Sequence, residues 1–481
     1  MAIEQILSQI CRRWRTVALS FPALWTRIVL NCPPNHREKM LMMYMHRSIS
    51  LHGQALPLEL YIDSSDPFST PKILAIIEAN KSRWRAISIR LLSPLAFIEL
   101  PWRQFNSLDL PQIEHFSITF RTYPTDEEKE MLTEHNLTML TGSTSIKTLR
   151  LQSTGMIFLR IPTVTENVTT LHLRQVSPWP QDYPPLRSFL KSFPSLIHLS
   201  LWGDFVPPGS PLKEDTIFTP NLRSLRVSDN KTISTLLLSL SAPQLASLTL
   251  RNLSYSSLDL FQHRYKPWAC DKFPQLQTLV LIRPQLSNET WKRLFSDFAG
   301  ITRFDLINCY GDQALELLSE RNPELERIGF DVSLPLPYLQ TISLHHLKDV
   351  KGSFVDFLAA RTAQGVAPKL RLHSSIRHSA LSVLRANVYR WDALEFWPTI
   401  SPESSGSEYQ VFEDDHDWSM QLLTKPPPER DVLYPPWAPS PEKEKLGWWT
   451  KFVNVSKEFL VDITKFSGTR IASFSITSKQ Y

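Results

Sequence analysis

From about residue 81 to 344 one short pattern of apolar and polar positions returns again and again: a turn residue followed by L-x-x-L-x-L. It reads Phe193-Pro-Ser-Leu-Ile-His-Leu-Ser-Leu201, Thr219-Pro-Asn-Leu-Arg-Ser-Leu-Arg-Val227, Ala242-Pro-Gln-Leu-Ala-Ser-Leu-Thr-Leu250 and Phe273-Pro-Gln-Leu-Gln-Thr-Leu-Val-Leu281. Weaker copies begin at Trp84, Ile113, Ile146, Val168, Ile301, Leu325 and Leu339. The L-x-L tail has period two, so each copy predicts a short strand with its leucines on one side and the intervening residues on the other. Proline ahead of the strand disfavours helical backbone just upstream and predicts the end of a preceding helix there.

The spacing sets the architecture. Leu196, Leu222, Leu245, Leu276, Ile301 and Leu325 follow one another at steps of about 26, 23, 31, 25 and 24 residues. Leucine-rich repeats run at roughly 20–29 residues with L-x-x-L-x-L-x-x-N/C, and the last position is Asn230 in one copy and Cys309 in another. One such unit cannot bury its own apolar face, and stability comes from stacking on neighbours. The expected fold is therefore α/β, a leucine-rich-repeat solenoid over 81–375, with helices on its convex side at Trp291–Phe298 and around Leu315–Leu318. The residue inside each L-x-L would line the concave side: Ser200, Arg226, Thr249, Val280, Asp305, Gly329 and Ser343. These mix charge with small polar groups, which suits binding of a protein partner by surface and names no small ligand.

Ahead of the repeats the period changes. Ile3, Leu7, Ile10/Cys11, Trp14 and Val17/Ala18 recur every three or four residues, one face of an amphipathic helix. Ser20-Phe-Pro22 punctuates it, and Leu24 and Trp25 open a short apolar segment ending at Ile28-Val29-Leu30. Residues 33–80 read as a second amphipathic helix, rich in methionine from Met40 to Met45, and an alternating strand at Pro57–Ile62 that caps the array. The run Ile10-Cys11-Arg12-Arg13-Trp14, followed by Ala18, Pro22, Leu24 and Trp25, resembles the second half of an F-box. The helix and strand that follow, with Trp84-Arg85, resemble the large basidiomycete F-box families. The resemblance covers about twenty residues of residues 1–32. A complete F-box opens with a Leu-Pro-containing helix ahead of this one, so the expectation is a truncated or degenerate module.

That resemblance implies a non-catalytic substrate receptor of a cullin-type ubiquitin ligase. Leu7, Cys11, Trp14, Leu24 and Trp25 would dock a Skp-type adaptor, which joins the cullin scaffold, and the solenoid would hold an unidentified protein substrate. The alternative is a repeat scaffold that binds a partner without ligase assembly. Either would be a monomer outside its complex.

Composition removes competing classes. A net charge of +5 over 481 residues, with basic residues scattered singly, is no nucleic-acid signature. Cys11, Cys32, Cys270 and Cys309 share no Cys-x-x-Cys or zinc-ligand spacing, which predicts reduced thiols in cytoplasm or nucleus. No signal peptide pattern opens the chain and no apolar run nears the roughly 18 residues of a membrane span. With only 13 glycines there is no phosphate-cradling loop, and neither H-E-x-x-H nor G-x-S-x-G occurs, so no cofactor, metal or catalytic residue is expected. Adjacent Asp414, Asp415, His416 and Asp417 read as a solvated acidic run, and alternation sends His345 and His346 to opposite sides. Residues 376–481 are expected to hold an irregular acidic and proline-rich stretch and a C-terminal cap carrying Trp448 and Trp449.

Overall fold

The structure, a computed structural model, describes residues 16, 25–30, 34–48, 56–64, 70–91, 110–120, 143–152, 164–174, 184–205, 217–228, 233–253, 272–307, 311–320, 334–345, 351–365, 368–372 and 394–396. All of them belong to one compact unit. Strands alternate with crossing segments, several of them helical. In order these are β1 (Arg27–Leu30), α1 (Pro34–Arg47), β2 (Leu58–Ser64), α2 (Thr70–Ala79), β3 (Trp84–Leu91), β4 (His115–Phe120), β5 (Thr148–Gln152), β6 (Thr170–Arg174) and α3 (Pro184–Lys191). Next come β7 (His198–Trp202), β8 (Ile217–Phe218), β9 (Ser224–Ser228), α4 (Ile233–Ser239), β10 (Leu240–Ser241), β11 (Ser247–Arg251), β12 (Thr278–Ile282) and α5 (Asn288–Asp297). The last are β13 (Arg303–Ile307), α6 (Gly311–Ser319), β14 (Thr341–His345), α7 (Lys351–Ala363), β15 (Lys369–Leu372) and β16 (Leu394–Phe396).

Fourteen strands make one parallel sheet in strict chain order; β8 and β10 stand apart and pair with each other. The register aligns the leucines into two continuous rows. Leu199, Leu225, Leu248, Leu279, Phe304 and Ile342 form one, and Leu201, Val227, Leu250, Leu281, Leu306 and Leu344 the other. All twelve are buried, in a single cluster with Leu186, Leu190, Leu236, Leu294, Leu315 and Phe357 from the helices. The helices therefore cover the leucine side of the sheet. The sheet's apolar face finds its partner in the crossing segments, as a parallel sheet requires.

The turn ahead of each strand explains the recurring proline. The amide of the first leucine donates to the carbonyl three residues back: Leu196 to Phe193 (3.2 Å), Leu222 to Thr219 (3.2 Å), Leu245 to Ala242 (3.0 Å) and Leu276 to Phe273 (3.0 Å). Pro194, Pro220, Pro243 and Pro274 hold the second position of these four-residue turns, where a ring-fixed φ is already correct. The proline shapes the entry turn, and ahead of Pro194 helix α3 ends at Lys191. Upstream of Pro220 and Pro243 lie strands β8 and β10.

Two kinds of backbone stitch join neighbouring strands. The carbonyl just before a strand accepts two amides from the following unit: Thr169 from Ile197 and His198 (2.8 and 2.9 Å), Ile197 from Arg223 and Ser224 (2.8 and 3.1 Å), Ala246 from Gln277 and Thr278 (both 3.0 Å). Past the strand, Gly203, Asn252 and Arg283 turn left-handed, with φ of 95°, 53° and 51°. Their amides donate to Ser228, Ile282 and Ile307, each at 2.9 Å. Glycine and asparagine take this conformation readily; Arg283 takes it at a steric cost.

The apolar run Ile28–Leu30 is strand β1, paired with β2, and β2 with β3, so the expected boundaries at 32 and 80 fall within one continuous sheet. The copy at Leu325–Phe330, with Gly329, lies outside the described residues, and β13 pairs directly with β14. Past 375 the sheet gains β16, while the rest of 376–481, including the acidic run and Trp448–Trp449, lies outside them.

Candidate recognition face of the sheet

Opposite the leucines, alternation places three polar rows on one side of the sheet. The expected residues Ser200, Arg226, Thr249, Val280, Asp305 and Ser343 do fall in a single row, which continues backwards through His172, Arg150 and Ser117. A flanking row carries His115, Thr148, Thr170, His198 and Ser224. The other carries Arg174, Trp202, Ser228 and Arg251.

Exposure divides this face. Ser200, Arg226 and Thr249 are half-buried, whereas Val280, Asp305 and Ser343 are buried. Those last three are corrected from contact residues to interior ones. Asp305 is fully buried and accepts from the Arg303 guanidinium at 3.4 Å, so its charge is used within the chain. At the other end, β4 to β6 carry a buried polar group made of His115, Ser117, Arg150 and His172. Burial, and secondarily the Arg150 charge, lower the His115 pKa to about 3. His172 is held well below the ordinary histidine value by burial and by Arg150, Arg226 and the neighbouring histidines. His198 is lowered to about 4 by burial and Arg223. Both ring nitrogens of His115 find no hydrogen-bond partner among the described residues.

Between these ends Arg174, Ser200, Trp202, Arg226, Ser228 and Thr249 are half-buried, whereas Arg251 is buried. The Trp202 ring has the Arg174 guanidinium 4.2 Å from its centroid and that of Arg251 at 5.1 Å. Cation–π contact of this kind orients both guanidiniums. No protein-family model matches the chain, and no curated protein matches it. The face is therefore read from its own chemistry. It carries cations, hydroxyls and one indole, a set suited to recognition by hydrogen bonds and charge. Among the described residues no group of three His, Cys, Asp or Glu is placed to hold a metal ion, and no helix is long and apolar enough to cross a membrane.

The expected adaptor-facing residues separate likewise. Leu7, Cys11, Trp14 and Leu24 lie outside the described residues. Trp25 is fully buried, edge-on to Tyr44 of α1 with centroids 5.4 Å apart, and carries the Arg47 guanidinium 4.3 Å over its ring. Trp25 therefore belongs to the core under β1, where it supports a surface and does not form one. Arg174, Trp202 and Arg251 were missed by the L-x-L pattern. The signal for them is one step further along, since the residue after the second leucine shares the face of the one before it.

Proposed function

We propose that this chain is a leucine-rich-repeat solenoid that recognises a protein partner through the face opposite its leucine rows. In this reading it is the non-catalytic substrate receptor of a cullin-type ubiquitin ligase. The observation that carries the recognition half is the register: turn, strand and stitch repeat in chain order, and their polar rows share one side. A platform of this kind binds proteins by surface and needs no reactive group. The ligase half rests on Ile10-Cys11-Arg12-Arg13-Trp14 with Leu24 and Trp25, the F-box-like run. A Skp-type adaptor docked there would bring the cullin and the charged transfer enzyme near the bound substrate. Acceleration would then arise from effective concentration.

The test is a pull-down of the purified chain with a Skp-type adaptor, against a Trp14→Ala/Leu24→Ala double variant. Binding that the double variant loses supports the receptor reading. No binding by the intact folded chain sinks ligase assembly and leaves the second reading, a repeat scaffold that holds its partner without ubiquitin.

A further inference from the structure

We draw no further inference here: the strongest candidate, the buried polar side-chain cluster of His115, Ser117, Arg150 and His172 on β4 to β6, carries nothing because nothing among the described residues shows what covers it.

Discussion

Acid should loosen this protein through His115 before most of its own folded-state groups titrate. In the folded chain burial, aided by Arg150, holds the His115 pKa at about 3. In the unfolded chain the imidazole titrates near 6.5. The folded-state value is depressed, so the unfolded state binds the extra proton as pH falls. The stability tied to His115 is intact above about 6.5 and drains away between there and about 3. At pH 5 the unfolded state is favoured by about 2 kcal/mol on this account, from roughly 1.5 pH units at about 1.4 kcal/mol each. His172 and His198 are shifted in the same direction and add to the trend. The assay is urea unfolding at pH 7.5 and pH 5.0 for wild type and His115→Gln, which keeps a polar side chain but cannot titrate. Any constant cost of the substitution cancels in the difference of differences. His115→Gln should lose about 2 kcal/mol less on acidification than the wild type. Equal losses would mean that His115 is hydrated or paired in solution, and the burial argument would fail.

Other expectations follow from the same geometry. Leu248→Ala, in the middle of a buried leucine row, should cost roughly 2–5 kcal/mol in the same unfolding assay. Arg283→Gly should stabilise by about 1 kcal/mol, because Arg283 sits at φ 51°, whereas Leu248→Met in the same assay should cost under about 1.5 kcal/mol. Arg361 is buried, its pKa lowered to about 10 by desolvation, and it donates to the carbonyls of Leu336 and Pro335. Arg361→Ala should therefore cost roughly 2–3 kcal/mol and speed hydrogen exchange in β14. Trp25→Ala should lower the melting temperature by several degrees as a core truncation, and a thermal melt checks it.

Local alternation carried far in this chain. The strong copies at Leu196, Leu222, Leu245 and Leu276 lead into β7, β9, β11 and β12, and Trp291–Phe298 and Leu315–Leu318 mark α5 and α6. These succeed because side-chain direction in a strand, and the apolar stripe of a helix, are set within a few residues. Ile28–Leu30 was not legible as a strand, because three apolar residues without flanking alternation fit helix and sheet alike. β14 pairs directly with β13, a choice of neighbour that the recurring letters do not state. The site shows the same division. That Val280, Asp305 and Ser343 share a row with Ser200 was readable; that they are buried was not, since burial depends on chain distant in sequence. The prolines were visible, but their place in an entry turn emerged only with the hydrogen bonds of Leu196, Leu222, Leu245 and Leu276.

The stitches that bind each strand only to its sequence neighbours also dictate how the molecule meets force. Pulled from its ends, a chain of this topology has no central strand whose rupture frees the rest at once. It should peel one unit at a time, each release adding 22 to 38 residues of slack, on the order of 70–140 Å when fully extended. A single-molecule trace would then be a staircase of many small steps of unequal length. A ratcheting unfoldase, such as one coupled to a protease, would face a series of small barriers in place of one large one.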